Sequence, residues 1–499
     1  MVFSSYEFIF IFLPITLIIF YMLKKFNYIQ SAKLFLVLAS LFFYAFWKVE
    51  YVFILLFSMF VNYNIANALL KSANAKIILY FGIIFNVFLL GFFKYSDFLL
   101  ENFNTFSKLA NLDFNIPLPH IVLPLAISFF TFQQIAFLVD CYKRTNIEGL
   151  KSENTYKINI LDYSLFITFF PQLIAGPIVH HKEMMPQFKS MLWNNSILIN
   201  WENIAKGLFI FSMGLFKKVY IADSFALWTN AGFKIVENGG TLNIFEAWAT
   251  SLSYTFQLYF DFSGYCDMAI GIALFFSIKL PINFNSPYKA LNISDFWRRW
   301  HITLGKFLKD YLYIPLGGNR VSKIINLRNL FIVAFVSGVW HGAGWGFVIW
   351  GILHGLAMVL HRIYTFIIPN AKFKENNVYK IFAWFVTFNF INLAWIFFRS
   401  ENLQGAINLL KAMFGLTWVE LPIKWHRMKE SLVQISGSNE TLIYIIICMI
   451  LCIGFKNSIE KLENFKASYI NSLLVMLFLY IALITLGVVP YTKFIYFNF

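Results

Sequence analysis

Apolar runs long enough to cross a bilayer recur along the whole chain, and short loops between them carry most of its lysine and arginine. Crossing the ~30 Å hydrocarbon core takes about 20 apolar residues in a helix. Runs of this kind lie near 8–23, 34–47, 51–69, 77–93, 121–139, 161–178, 204–222, 247–276, 329–345, 347–361, 379–398, 441–455 and 469–489. Lipid offers no partner to backbone N–H and C=O groups, so each run must satisfy its own, which selects α-helix. The fold class expected is therefore all-α: a polytopic integral membrane protein with about 10–12 transmembrane helices. No repeat and no soluble module interrupts residues 1–499, so a single membrane-embedded domain is expected. Composition agrees, since 59% of the 499 residues are hydrophobic and 13% charged, against about 45–50% and about 25% in soluble domains. Sixty-two phenylalanines exclude a disordered chain, and four cysteines (Cys141, Cys266, Cys448, Cys452) exclude a disulfide scaffold. The first run lacks a preceding basic segment and is followed by Lys24 and Lys25, as a retained first helix would be.

The net charge of +15 does not indicate nucleic acid, because the cations sit in loops rather than in a stripe with stacking aromatics. They serve instead to orient the helices. Lys24, Lys25 and Lys33 put the first loop in the cytoplasm and the N-terminus outside. The 279–328 stretch holds nine Lys/Arg against Asp295 and Asp310, so it is expected to be cytoplasmic. The alternation then leaves the C-terminus external. It holds only if 161–178 does not span fully, and FFPQLIAGP there, with Pro171, Gly176 and Pro177, suits a re-entrant segment. A proline-kinked spanning helix is the competing reading. Lys217 and Lys218 fit poorly, since this threading places them outside.

Two of the eight histidines stand out. His341 sits inside an apolar helix, in GVWHGAGWGFVIWGILHG. An ionisable residue there is costly and points to function; a packed, hydrogen-bonded histidine is the alternative. Thirteen residues beyond Arg328, it is expected about 20 Å from the cytoplasmic edge, toward the outside. His301, in DFWRRWHITLGKFLKDYLYIPLGG, reads as part of an interfacial helix with Trp297 and Trp300 at headgroup depth. Arg298, Arg299 and Lys306 nearby suit either lipid headgroups or the phosphates of a nucleotide-bearing donor. In YTFQLYFDFSGYCDM, Gln257 and Asp261 share a helical face while Asp267 lies on another unless Ser263 and Gly264 break the helix. These groups must pair or line a polar cavity. The chain ends YTKFIYFNF, where a tyrosine among Phe494, Phe497 and Phe499 could enter an apolar pocket or sit in an interfacial aromatic belt. No phosphate loop, dinucleotide fingerprint, zinc spacing or G-x-S-x-G elbow occurs, so no bound cofactor and no metal is expected.

Several stretches taken together resemble the membrane-bound O-acyltransferases, in particular the bacterial branch that serves O-acetylation of cell-envelope polymers. They are LPLAISFFTFQ, FFPQLIAGPI, GLFKKVYIAD, YFDFSGYCDMAIG, NFNSPYKALNISDFWRRWHITLGKFLKDYLYIPLGGNR and GVWHGAGWGFVIWG, in that order. The resemblance implies a bowl of helices with a central tunnel joining a cytoplasmic donor funnel to an external acceptor face. It places the family's catalytic histidine on His341, as general base, and its second characteristic histidine on His301. Gln257, Asp261, Asp267, Trp297 and Trp340 become candidates for the tunnel lining. It also points to Tyr496 as a carrier that takes acetyl from acetyl-CoA, or another thioester, and passes it to an external polymer O-acetyltransferase. The implied location is the bacterial inner membrane, with lipid as the surrounding partner and no nucleic acid. Peptidoglycan is the first polymer expected, and alginate or another exopolysaccharide the second. A secondary transporter or flippase would share broken helices and midplane polar groups, but it usually shows two related halves. None is visible here.

Overall fold

The computed structural model describes residues 1–112, 114–147, 158–190, 198–369, 372–417, 419, 431–488 and 494–495. Among them regular structure is helical, apart from one isolated bridge between Phe284 and Trp300. Eight helices are long and apolar enough to cross a membrane, and the shorter Ile29–Ala45 and Asn439–Gly454 are also apolar. The eight, counted among the described residues, are fewer than the roughly 10–12 expected. The chain divides into two compact units.

The first unit comprises Met1–Phe211 and Ala269–Pro281. Its helices are α1 (Leu13–Lys25), α2 (Ile29–Ala45), α3 (Glu50–Lys71), α4 (Ala75–Leu109), α5 (Ile127–Ile147), α6 (Ile160–Thr168), α7 (Phe170–Leu173), α8 (His181–Ser190) and most of α9 (Trp201–Phe216). Several of the polar groups buried between these apolar helices pair with one another. Asn62 on α3 and Asn86 on α4 exchange amide hydrogen bonds of 3.1 and 2.7 Å, and Lys33 on α2 is ion-paired with Asp162 on α6. The expected weak segment is indeed interrupted. Asn159 caps α6, accepting from the N–H groups of Leu161 and Asp162, and the helix ends at Thr168. Phe169 then turns extended (φ −49°, ψ 108°) before the single turn of α7. Phe170 N–H, released from a continuous helix, donates to Ser40 Oγ at 3.1 Å. Every residue from Leu165 to His180 is buried, which meets the requirement that irregular backbone be enclosed by protein. A single kinked helix is not what forms.

The second unit comprises Ser212–Met268 and Ile282–Phe499. It contains α10 (Asp223–Glu237), most of α11 (Ile244–Phe275), α12 (Ile293–Arg299), α13 (Ile302–Leu308), α14 (Lys323–His341), α15 (Trp345–Ile367), α16 (Asn377–Arg399), α17 (Leu403–Met413), α18 (Asn439–Gly454), α19 (Ser458–Glu463) and α20 (Tyr469–Val488). Helix α11 runs unbroken through Ser263 and Gly264, so Asp261 and Asp267 do fall on different faces. A π-helical stretch at Lys217–Ala222 approaches it closely. A β-carbon on Gly214 would lie 2.6 Å from Gly264 O, so only glycine permits this crossing. The approach sets Lys217 Nζ 2.7 Å from Asp267 and Lys218 Nζ 2.9 Å from Asp261. Both lysines are thus partners of buried carboxylates rather than loop cations, which is why they fit the expected charge pattern poorly.

Candidate active site

His341 is the last residue of α14, and α15 begins at Trp345 after only three intervening residues. Such a short connection forces the two helices to lie side by side as a hairpin. Gly338 and Gly351 face each other across it, and a β-carbon on Gly338 would stand 2.6 Å from Gly351 Cα. This contact brings Trp350 over His341, with ring centroids 5.1 Å apart, and Phe398 of α16 lies 5.3 Å away. Trp340 completes the aromatic surround at 4.9 Å. His341 is 2% exposed. Its Nδ1 lies 2.6 Å from the backbone carbonyl of Ser337. A carbonyl can only accept, so Nδ1 carries the proton in the neutral ring and Nε2 holds the lone pair. That is the tautomer a general base needs.

His301 reaches the same place by a different route. Residues 283–285 run antiparallel to 299–302: Asn285 N–H donates to Arg299 O at 2.9 Å and Ile302 N–H to Asn283 O at 3.0 Å. The pairing turns the chain sharply at His301, which adopts φ 47°, ψ 53°. A left-handed histidine is uncommon and mildly strained, a condition that gathers at functional sites. Asn283 holds the ring. Its Oδ1 accepts from Thr303 N–H at 3.2 Å and Thr303 Oγ1 at 2.8 Å, which fixes the oxygen's position, and His301 Nδ1 lies 3.2 Å from it. His301 therefore also presents Nε2 as its acceptor nitrogen. Burial, reinforced by His341, holds His301 well below the ordinary histidine range, so it is neutral at physiological pH.

The His301 and His341 ring centroids are 6.5 Å apart, a gap that lets one reacting group reach both rings. This corrects the expectation that one histidine lies at the cytoplasmic surface and the other toward the outside. Pairing with residues 283–285 folds the 279–328 stretch inward, a contact that loop charge does not encode. Trp300 is corrected too. It is 1% exposed, packed 5.0 Å from both Phe284 and Trp395, rather than at headgroup depth. Trp297 donates its indole N–H to His354 Nδ1 at 3.2 Å. Gln257 is buried, and its Oε1 has no hydrogen-bond partner among the described residues. Tyr496 lies outside the described residues.

Beside the histidines is a cavity of about 850 Å³. Arg298, Lys306, Lys309, His361 and Arg362 line it together with Leu330, Val333, Met358, Ala334 and Ser337. Its lining thus includes Ser337, whose carbonyl bonds His341. Arg298 and Lys306 were expected at a donor site; Arg299 is not part of the lining and pairs instead with Asp295 at 3.0 Å. Asn283, Trp350, His361 and Arg362 escaped sequence reasoning. Among the described residues, no three His, Cys, Asp or Glu side chains converge to hold a metal ion.

A sequence model of the membrane-bound O-acyltransferase family matches residues 109–400, the span that supplies both histidines, Asn283 and the cavity. The chain belongs to this family. As a membrane-bound O-acyltransferase it is a multi-pass membrane enzyme, and its relatives agree. It is 48% identical to the peptidoglycan O-acetyltransferase of Helicobacter pylori, over 100% of this chain and 98% of that protein. It is 37% identical to the probable alginate O-acetylase AlgI of Pseudomonas aeruginosa, over 84% of this chain and 76% of that one. A teichoic acid D-alanyltransferase of Streptococcus thermophilus is 27% identical over 55% of this chain and 68% of its own length.

Proposed function

We propose that this O-acyltransferase moves acetyl groups from a cytoplasmic thioester, acetyl-CoA, to the external face of a bacterial inner membrane for O-acetylation of peptidoglycan. The observation that carries the chemistry is the Ser337 carbonyl fixing the proton on His341 Nδ1, which leaves Nε2 as the base. The donor occupies the basic-rimmed cavity. Arg298, Lys306 and Lys309 hold its phosphates, and the apolar wall guides the thioester toward Ser337 and His341.

Tyr496 is the acceptor in this reading. His341 Nε2 removes the phenol proton, and the phenolate oxygen attacks the thioester carbonyl carbon. The C–S bond then breaks, and the departing thiolate recovers the proton from the imidazolium. The phenol needs this help because its ordinary pKa is about 10. An external polymer O-acetyltransferase then takes acetyl from Tyr496. Similarity to the Helicobacter pylori protein supports peptidoglycan as the polymer; similarity to the probable alginate O-acetylases supports a second reading, an exopolysaccharide. The test is ester-linked acetate on muropeptides and on secreted polysaccharide from cells carrying wild type, His341→Ala or Tyr496→Phe. Loss from muropeptides in both variants is expected. Unchanged acetate in Tyr496→Phe would remove the carrier, and loss from polysaccharide alone would change the polymer.

A further inference from the structure

Near the C-terminus, Phe494 and Ile495 pack into the second unit. Phe494 is 1% exposed and stacks on Tyr265 of α11, with ring centroids 4.5 Å apart and planes within 23°. It also meets Phe262, at 6.0 Å, and Phe262 in turn packs its ring 4.9 Å from His301. One residue later the backbone N–H of Ile495 donates to Asp261 Oδ2 at 2.9 Å. The other oxygen of that carboxylate lies 2.9 Å from Lys218 Nζ, which also bonds Asp223 at 2.6 Å. Asp261 is 1% exposed and Lys218 3%. Among the described residues, one ammonium therefore faces two buried carboxylates. Lys218 fixes the orientation of Asp261, and the tail's amide receives the remaining acceptor.

We infer that Asp261 is a positioning residue that latches the chain at Ile495, using Lys218 to aim its carboxylate at the Ile495 amide and so holding Phe494 against Phe262, the ring that packs on His301. The latch acts on the backbone, so it leaves the neighbouring side chains free to serve chemistry. Its value to catalysis rests on the carrier reading of Tyr496. The latch itself does not.

Amide hydrogen exchange of the C-terminal peptide in the full-length protein, embedded in lipid nanodiscs, tests it directly. Asp261→Leu is close in shape to aspartate and lacks an acceptor, while the Lys218–Asp223 pair remains to neutralise itself. We expect tail exchange to accelerate at least about tenfold with α11 still protected, and acetyl transfer to fall in step. Asp261→Asn keeps one acceptor oxygen and should accelerate exchange by a smaller factor; it also covers the case in which the leucine variant does not fold. Unchanged tail exchange in either folded variant would overturn the latch. Tyr496→Phe leaves Ile495 N–H and Asp261 intact and should keep the tail protected. Full activity in that variant would end the carrier reading without touching the latch.

Discussion

Removing the Asn283 side chain should disable the site without altering either histidine. In Asn283→Ala, His301 Nδ1–H and Thr303 N–H both lose their buried acceptor, at 3.2 Å each in the intact protein, while the Thr303 hydroxyl is able to turn elsewhere. Each stranded donor costs about 1–3 kcal/mol, so the His301 turn loses roughly 2–6 kcal/mol of local support. If only about 2–3 kcal/mol of that appears at the transition state, kcat falls about 30- to 150-fold. Donor KM should move little, because Asn283 does not line the donor cavity. The assay is acetyl-CoA turnover by purified enzyme in nanodiscs, with helicity and monodispersity recorded alongside. Asn283→Asp is the matched control: it keeps the acceptor and adds a charge that favours imidazolium at His301. It should shift the pH profile upward and be less stable at alkaline pH, where His301 loses the proton that balances the buried carboxylate. A folded Asn283→Ala enzyme with wild-type kcat would refute the claim that the oriented His301 matters.

Other perturbations have equally defined outcomes. Gly338→Ala should destabilise the α14–α15 hairpin by about 1–3 kcal/mol through overpacking, read as earlier thermal loss of the monodisperse peak, because the new methyl would sit 2.6 Å from both Gly351 Cα and Phe347 O. Arg298→Ala should raise donor KM about tenfold, the worth of one charge-assisted hydrogen bond, whereas Arg299→Ala, whose charge is engaged by Asp295, should leave it unchanged. Lys218→Met strands the Asp261 and Asp223 carboxylates and should cost about 3–5 kcal/mol, seen as failure to accumulate in membranes. Because folding lowers the His301 pKa, the unfolded chain gains a proton first on acidification. Stability should therefore decline as pH drops below about 6.5, and His301→Gln should flatten that part of the stability curve.

How far the sequence led depended on the kind of signal. Helices were legible because lipid exposure writes a long apolar run, and Pro171 with Gly176 marked where one would break. His341 was legible because a titratable group stands out in such a run. The position of His301 was not. A basic, aromatic stretch looks interfacial, and only its pairing with residues 283–285 brings it under His341. Lys217 and Lys218 stood out as misfits in the charge pattern without revealing why, because in sequence an interior cation resembles a loop cation, and Asp267 and Asp261, which pair with them, lie 50 and 43 positions away. The role given to Asn283 needed coordinates, since an asparagine in a polar stretch carries no mark of what its amide holds.

The central claim is that His341 Nε2 is the base for transfer from a thioester. Its most direct measurement is single-turnover consumption of radiolabelled acetyl-CoA by purified wild type and His341→Ala in lipid nanodiscs, with donor binding measured separately. Binding should be retained, with a fall in transfer of at least about 100-fold, the usual scale of general base catalysis. Transfer by a folded His341→Ala enzyme within a few-fold of wild type would contradict the claim.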